Sequence, residues 1–160
     1  MHLKLNWNKG DNMKKYYLEV EAPNEIVKLE INHSVTNKEN ENIQVILSTK
    51  IQGKENTFKA TSTEAALILL TKSLPKKWRI KSCLSCRFGH FCPCGDYDNE
   101  LFCVTDFNPK NPRDIWHVTT DNKERKKRCR TLFECCENHQ EESKDCFTYS
   151  DYYYTMYGEK

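Results

Sequence analysis

The sequence predicts an α+β single domain: an N-terminal antiparallel β-sheet covered by one helix, then a metal-stapled, loop-rich segment and a second helix. Three observations carry this. Between residues 2 and 60, apolar side chains recur at every second position in short runs broken by turn residues, as in strands with one buried face. Over residues 62–73 the apolar spacing becomes helical. Five of the nine cysteines then fall within residues 83–103, a stretch too poor in apolar residues to order itself by burial.

The strand faces are Leu3, Leu5 and Trp7; Tyr16, Leu18 and Val20; Val27, Leu29 and Ile31; and Ile43, Val45, Leu47, Thr49 and Ile51. Gly10–Asn12, Ala22–Asn24, the polar run 36–42 and Gly53–Asn56 separate them, and residues 57–60 form a short further strand. Thr61-Ser-Thr-Glu64 reads as a capping box, in which the Thr61 hydroxyl takes an amide while Glu64 reaches back. The helix it opens carries Ala66, Leu67, Leu69 and Leu70 and stops before Pro75. Trp78–Lys81 reads as a strand leading into Cys83. The two prolines of Asn108–Pro112 make an extended connection, and Ile115–Thr119 reads as another strand. Asp121–Glu124 is a second capping box. Its helix runs to about residue 138, with Cys129, Leu132, Phe133 and Cys136 on one apolar face. The Tyr-rich tail ends in a short helix capped by Ser150. At 160 residues this is one domain, with the sheet and its helix in 1–75 and the cysteine cluster, second helix and tail in 76–160.

The cluster reads C-x2-C-x5-C-x-C-x8-C, from Cys83 through Cys86, Cys92 and Cys94 to Cys103. Two thiolates two residues apart form a knuckle for one ion, and four thiolates in tetrahedral geometry suit a structural Zn2+. The expected ligands are Cys83, Cys86, Cys92 and Cys103. Cys94 is the alternative fourth ligand, and His90 stands behind it. The same thiolates suit a 4Fe-4S cluster. The core CLSCRFGHFCP also resembles the cysteine cluster of RecB-type and CRISPR-associated nucleases and the auxiliary-cluster motif of radical-SAM enzymes. That resemblance implies a four-iron cluster. It covers about ten residues, and the nuclease pattern takes its fourth cysteine from upstream, where this chain has none. The close pair in Cys92-Pro-Cys94 adds a dithiol redox reading of the same stretch.

Residues 76–130 carry 13 Lys or Arg against seven Asp or Glu, while residues 131–160 carry two against seven. The basic 76–130 region, densest at Lys123–Arg130, reads as a charged solvent face offset by the acidic tail or as a partner surface, for protein or nucleic acid. No apolar run approaches the roughly 20 residues of a membrane span, and no secretory leader is recognised, so a cytoplasmic protein with reduced thiols is expected. Asp96, Asp98, Glu100 and Asp106 read as a solvated acidic turn. The motifs of serine hydrolases, zinc proteases, P-loops and dinucleotide sites do not occur. The sequence therefore favours a small metal-binding interaction module over an enzyme, with an iron–sulfur or dithiol redox protein as the alternative.

Overall fold

The alternation in the N-terminal half builds a five-stranded antiparallel sheet. In the computed structural model, which describes residues 12–36, 43–95 and 98–158, its strands are β1 (Lys14–Ala22), β2 (Glu25–Thr36), β3 (Gln44–Ile51), β4 (Lys54–Ala60) and β5 (Arg79–Lys81). They pair in the order β4-β3-β2-β1-β5. The strand expected over 2–7 lies outside the described residues, as do 37–42. One face is buried as the pattern requires: Leu18, Val20, Leu29, Ile31, Val45, Leu47 and Ile51 all lie in the core. The last hairpin is tighter than expected. Ile51 pairs with Lys54 across only Gln52 and Gly53, both at positive φ (49° and 79°), so β4 starts directly after this turn and is longer than the expected 57–60.

Helix α1 (Thr63–Ser73) packs over β3 and β4 and buries Ala66, Leu67 and Leu70. Its cap is Ser62, one residue later than expected, whose hydroxyl accepts from the Ala65 amide at 3.1 Å. A distant residue completes this helix end. Asp98 accepts from the Thr63 amide at 2.9 Å and from its hydroxyl at 2.7 Å, and His33 Nε2 lies 2.9 Å from the same hydroxyl. Burial alone would push the Asp98 carboxyl up. The bonds from His33 and Thr63 outweigh it and hold the carboxyl below its usual range. The stabilisation is therefore present above the unfolded carboxylate value near 3.9 and is lost as pH falls through the lower folded value. Asp98→Ala leaves the Thr63 amide without its acceptor, and its hydroxyl with His33 alone, and is expected to cost about 2 kcal/mol in denaturant titrations at neutral pH. The gap between wild type and Asp98→Asn should close as the pH drops below about 4.

The second half departs from expectation in two places. Ile115–Thr119 is not a strand but the middle of α2 (Pro112–Thr120). Asn111 caps this helix through bonds from the Arg113 and Asp114 amides, Pro112 fills the first turn, and Ile115 and Thr119 face inward one turn apart. The helix expected over 121–138 is only α3 (Asn122–Arg128), with Asp121 as its cap. The chain then turns extended as β8 (Cys129–Arg130) because an edge is on offer. Three short strands, β6 (Gly89–His90), β7 (Leu101–Cys103) and β8, form a second sheet with β7 at its centre. Leu132 and Phe133 reach the core from a turn instead of a helix face, with Phe133 stacked on Tyr16 at 4.6 Å. Cys129 is half-buried and Cys136 exposed, so neither packs as a core helix residue.

The core is continuous across the two halves. Leu84, Phe91, Leu101, Leu132, Phe133 and Tyr152 join the sheet and α1 residues in a single cluster. Tyr152 opens α4 (Tyr152–Tyr157). Asp151 holds the cap position of this helix without a side-chain bond, and the expected cap, Ser150, accepts from the Tyr152 amide at 3.2 Å from one residue further back. Among the described residues no helix is long and apolar enough to cross a membrane.

Candidate metal centre

The C-x2-C spacing folds locally into a tight turn. Ser82 caps a single 3-10 turn, Cys83–Ser85, and the Ser85 hydroxyl bonds back to the Ile80 carbonyl at 3.0 Å, fixing the turn to the end of β5. The Cys86 amide donates to the Cys83 carbonyl at 3.3 Å and the Gly89 amide to the Cys86 carbonyl at 2.9 Å. This closes a loop in which Gly89 passes directly beneath the Cys83 carbonyl. A Cβ at position 89 would stand 2.1 Å from that oxygen, so no other residue fits.

Two distant segments clamp the turn. In the β6–β7 pairing Gly89 stands opposite Cys103, which delivers Cys103 to the knuckle. On the other side, residues 134–142 run along it. The Cys83 amide donates to the Glu134 carbonyl at 2.6 Å, the Arg87 amide to the Gln140 carbonyl at 2.9 Å and the Glu142 amide to the Ser85 carbonyl at 3.1 Å. Cys136 belongs to this segment and is exposed. Its carbonyl accepts from the His139 amide, and the His139 ring lies 3.2 Å from the Ser85 hydroxyl.

Burial first, and neighbouring thiols after it, raise Cys83 and Cys86. Burial pushes the Cys83 thiol far up, and Cys103, Cys86, Glu134 and Cys136 add to it. Burial also raises Cys86; the backbone at Gln140 and Phe88 pulls it back, and Cys103 and Cys136 push it further up. Crowded, buried thiols of this kind stay protonated until a cation offsets their charge. As the side chains stand, no group of three or more His, Cys, Asp or Glu among the described residues could hold a metal ion.

Of the expected ligands, Cys83, Cys86 and Cys103 lie on segments joined by backbone pairing, as does Cys136 from a region read as helix core, without forming a group that could hold a metal as the side chains stand. Cys92 and Cys94 are joined in a disulfide, and the Cys92 sulfur lies 3.4 Å from the Thr119 hydroxyl of α2. In this state neither offers a thiolate. The remaining seven cysteines are thiols. His90 is buried and accepts from the Tyr149 amide through Nδ1 at 3.0 Å, with its ring on Phe147. Cys135 is pushed up to about 11 by burial and by Glu19.

The charged stretches resolve into separate structural pairs. Asp96 lies outside the described residues. Asp98 holds α1, Glu100 pairs with Arg125, and Asp106 binds Arg128 at 2.7 Å. Arg128 is buried and also bonds Glu124 at 2.8 Å. Its hydrogen bond holds the Asp106 carboxyl down at about 2. A cleft of about 580 Å3 beside Asp98 is rimmed by Lys14 and Arg130 but also by Glu100 and Glu134, so it selects no ligand charge.

The chain matches no family model, no curated protein and no solved structure.

Proposed function

We propose that this protein is a small zinc-stapled interaction module with a structural four-cysteine site, in which Cys136 replaces Cys92 beside Cys83, Cys86 and Cys103. The observation that carries the reading is the clamp: a C-x2-C turn, closed over Gly89, is flanked on one side by the Cys103 strand and on the other by the Cys136 loop. Four thiolates with no other ligand type suit a closed tetrahedral zinc site, which serves to staple and leaves no open position for chemistry. Closing the site requires the thiols to lose protons and turn inward, so metal binding is coupled to ordering of the second half.

The test is zinc titration of metal-free protein followed by circular dichroism. Uptake of one zinc per chain with a gain in thermal stability supports the staple, and no uptake removes it. An iron–sulfur cluster on the same thiolates would announce itself by visible absorption at about 400 nm. A dithiol redox reading draws on one different observation, the Cys92–Cys94 disulfide. It requires that this bond exchange with small thiols while the metal stays in place.

A further inference from the structure

We infer that the exposed face of α2 and α3 binds single-stranded nucleic acid, with the Trp116 indole stacking on a base and the surrounding lysines and Arg113 meeting phosphates. This deepens the partner surface of the module proposed above and rests on that reading only for the metal that steadies the half in which these helices lie.

Residues 110–130 hold eight Lys or Arg against three Asp or Glu. The structure shows where each acid goes. Asp114 accepts from the Lys110 amide at 2.7 Å, Asp121 caps α3 by accepting from the Lys123 and Glu124 amides at 3.0 Å, and Glu124 binds Arg128. All three carboxylates are spent on the fold. Three of the arginines are spent as well. Arg125 pairs with Glu100 over the Phe102 ring, Arg128 is buried against Asp106, and Arg130 caps the carbonyls of Lys127 and Cys129.

The cations left over, Lys110, Arg113, Lys123, Lys126 and Lys127, are exposed, and none forms an ion pair among the described residues. On α2, Arg113, Trp116, His117 and Thr120 follow helical spacing on the side opposite the buried Ile115 and Thr119. On α3, Lys123, Lys126 and Lys127 follow the same spacing away from Arg128. The two helices contact each other across the single residue Asp121, which places the two cationic faces on consecutive, touching elements.

Trp116 is 44% exposed and lies one helical turn from Arg113 on the same face of α2. An indole left in water among unpaired cations is a poor match for an acidic protein, which would satisfy only the charge. It matches a strand that presents phosphates and unstacked bases together. The Tyr-rich tail is not part of this platform, because α4 packs on α1.

The experiment is fluorescence anisotropy of the full chain with a labelled single-stranded oligonucleotide of about 12 nucleotides and mixed sequence. Metal content is measured on the same samples. Binding is expected with a log K against log salt slope between about −2 and −3.5, for three to five phosphate contacts on a single strand. Trp116→Ala should weaken binding roughly five- to hundredfold without changing the slope, and Trp116→Phe should recover part of the loss. The triple change Lys123→Glu, Lys126→Glu and Lys127→Glu should flatten the slope. The surface is overturned by any of four results: no binding at about 50 mM salt, tighter binding to duplex, equal binding to heparin with Trp116→Ala neutral, or a preference for an acidic protein. A zinc-loaded protein that ignores the oligonucleotide overturns this surface and leaves the staple. A metal-free protein that binds it overturns the staple and leaves the surface.

Discussion

Replacing Cys136 by serine is expected to weaken zinc binding more than about hundredfold, since even losing the hydrogen-bond partners of metal ligands costs about 10- to 100-fold. Cys83→Ser, Cys86→Ser and Cys103→Ser should behave alike, because each removes one of four thiolates from a closed site. Cys92→Ser should leave zinc stoichiometry unchanged. It should instead raise the number of reactive thiols in metal-free, unfolded, unreduced protein from seven to eight, as Cys94 is released from its disulfide. Competition of each variant against a chromogenic zinc chelator, with thiol counting alongside, separates the two ligand sets. If Cys92→Ser loses the metal and Cys136→Ser keeps it, Cys92 is the fourth ligand after all.

Gly89→Ala is expected to cost about 3 kcal/mol or more, or to prevent folding of the second half, because the added methyl has no room to move aside. The atoms it would meet are backbone: the Cys83 carbonyl oxygen at 2.1 Å, its carbon at 3.2 Å and the Cys86 carbonyl oxygen at 3.4 Å. No rotamer change relieves such a contact, so the knuckle itself must open, and zinc affinity should fall with stability. Gly53 provides the contrast. It has nothing within 4 Å of a built Cβ, but its φ is +79°. Gly53→Ala should cost only about 1–2 kcal/mol, the penalty for a left-handed backbone, and leave metal binding untouched. Thermal melts of both variants, with and without added zinc, distinguish a clash inside the metal turn from strain in a remote hairpin.

The sheet was legible because period-2 alternation is a local signal, and the register that buries Leu18, Leu29 and Leu47 follows from it. A tight local turn at Cys83–Cys86 was legible for the same reason, since only two residues separate the pair. The packing of the Cys136 segment against this turn was not. Cys136 shares an i, i+3, i+4, i+7 spacing with Cys129, Leu132 and Phe133, and that pattern fits a helix as well as it fits a strand followed by a turn. What decides between them is β7, whose edge Cys129 and Arg130 pair with, and the knuckle, whose amides bond to residues 134 and 140. Both are long-range contacts with no trace in local spacing. α2 was missed although its signal was present: Asn111-Pro112 is a cap followed by a first-turn proline, and it outweighs the strand propensity of Ile115, Trp116 and Val118. The acidic and basic runs misled in a different way. Several of their charges pair within the fold, Asp98 with α1 and Arg128 with Asp106, so composition overstated the open surface, on which Lys76, Lys77, Lys110, Arg113 and the α3 lysines remain.

The staple itself is tested most directly by elemental analysis with a visible spectrum, on protein purified without oxygen. One zinc per chain and no absorption near ~400 nm is the expected result. Iron with visible absorption, or metal-free protein whose thermal transition is unmoved by added zinc, would contradict it.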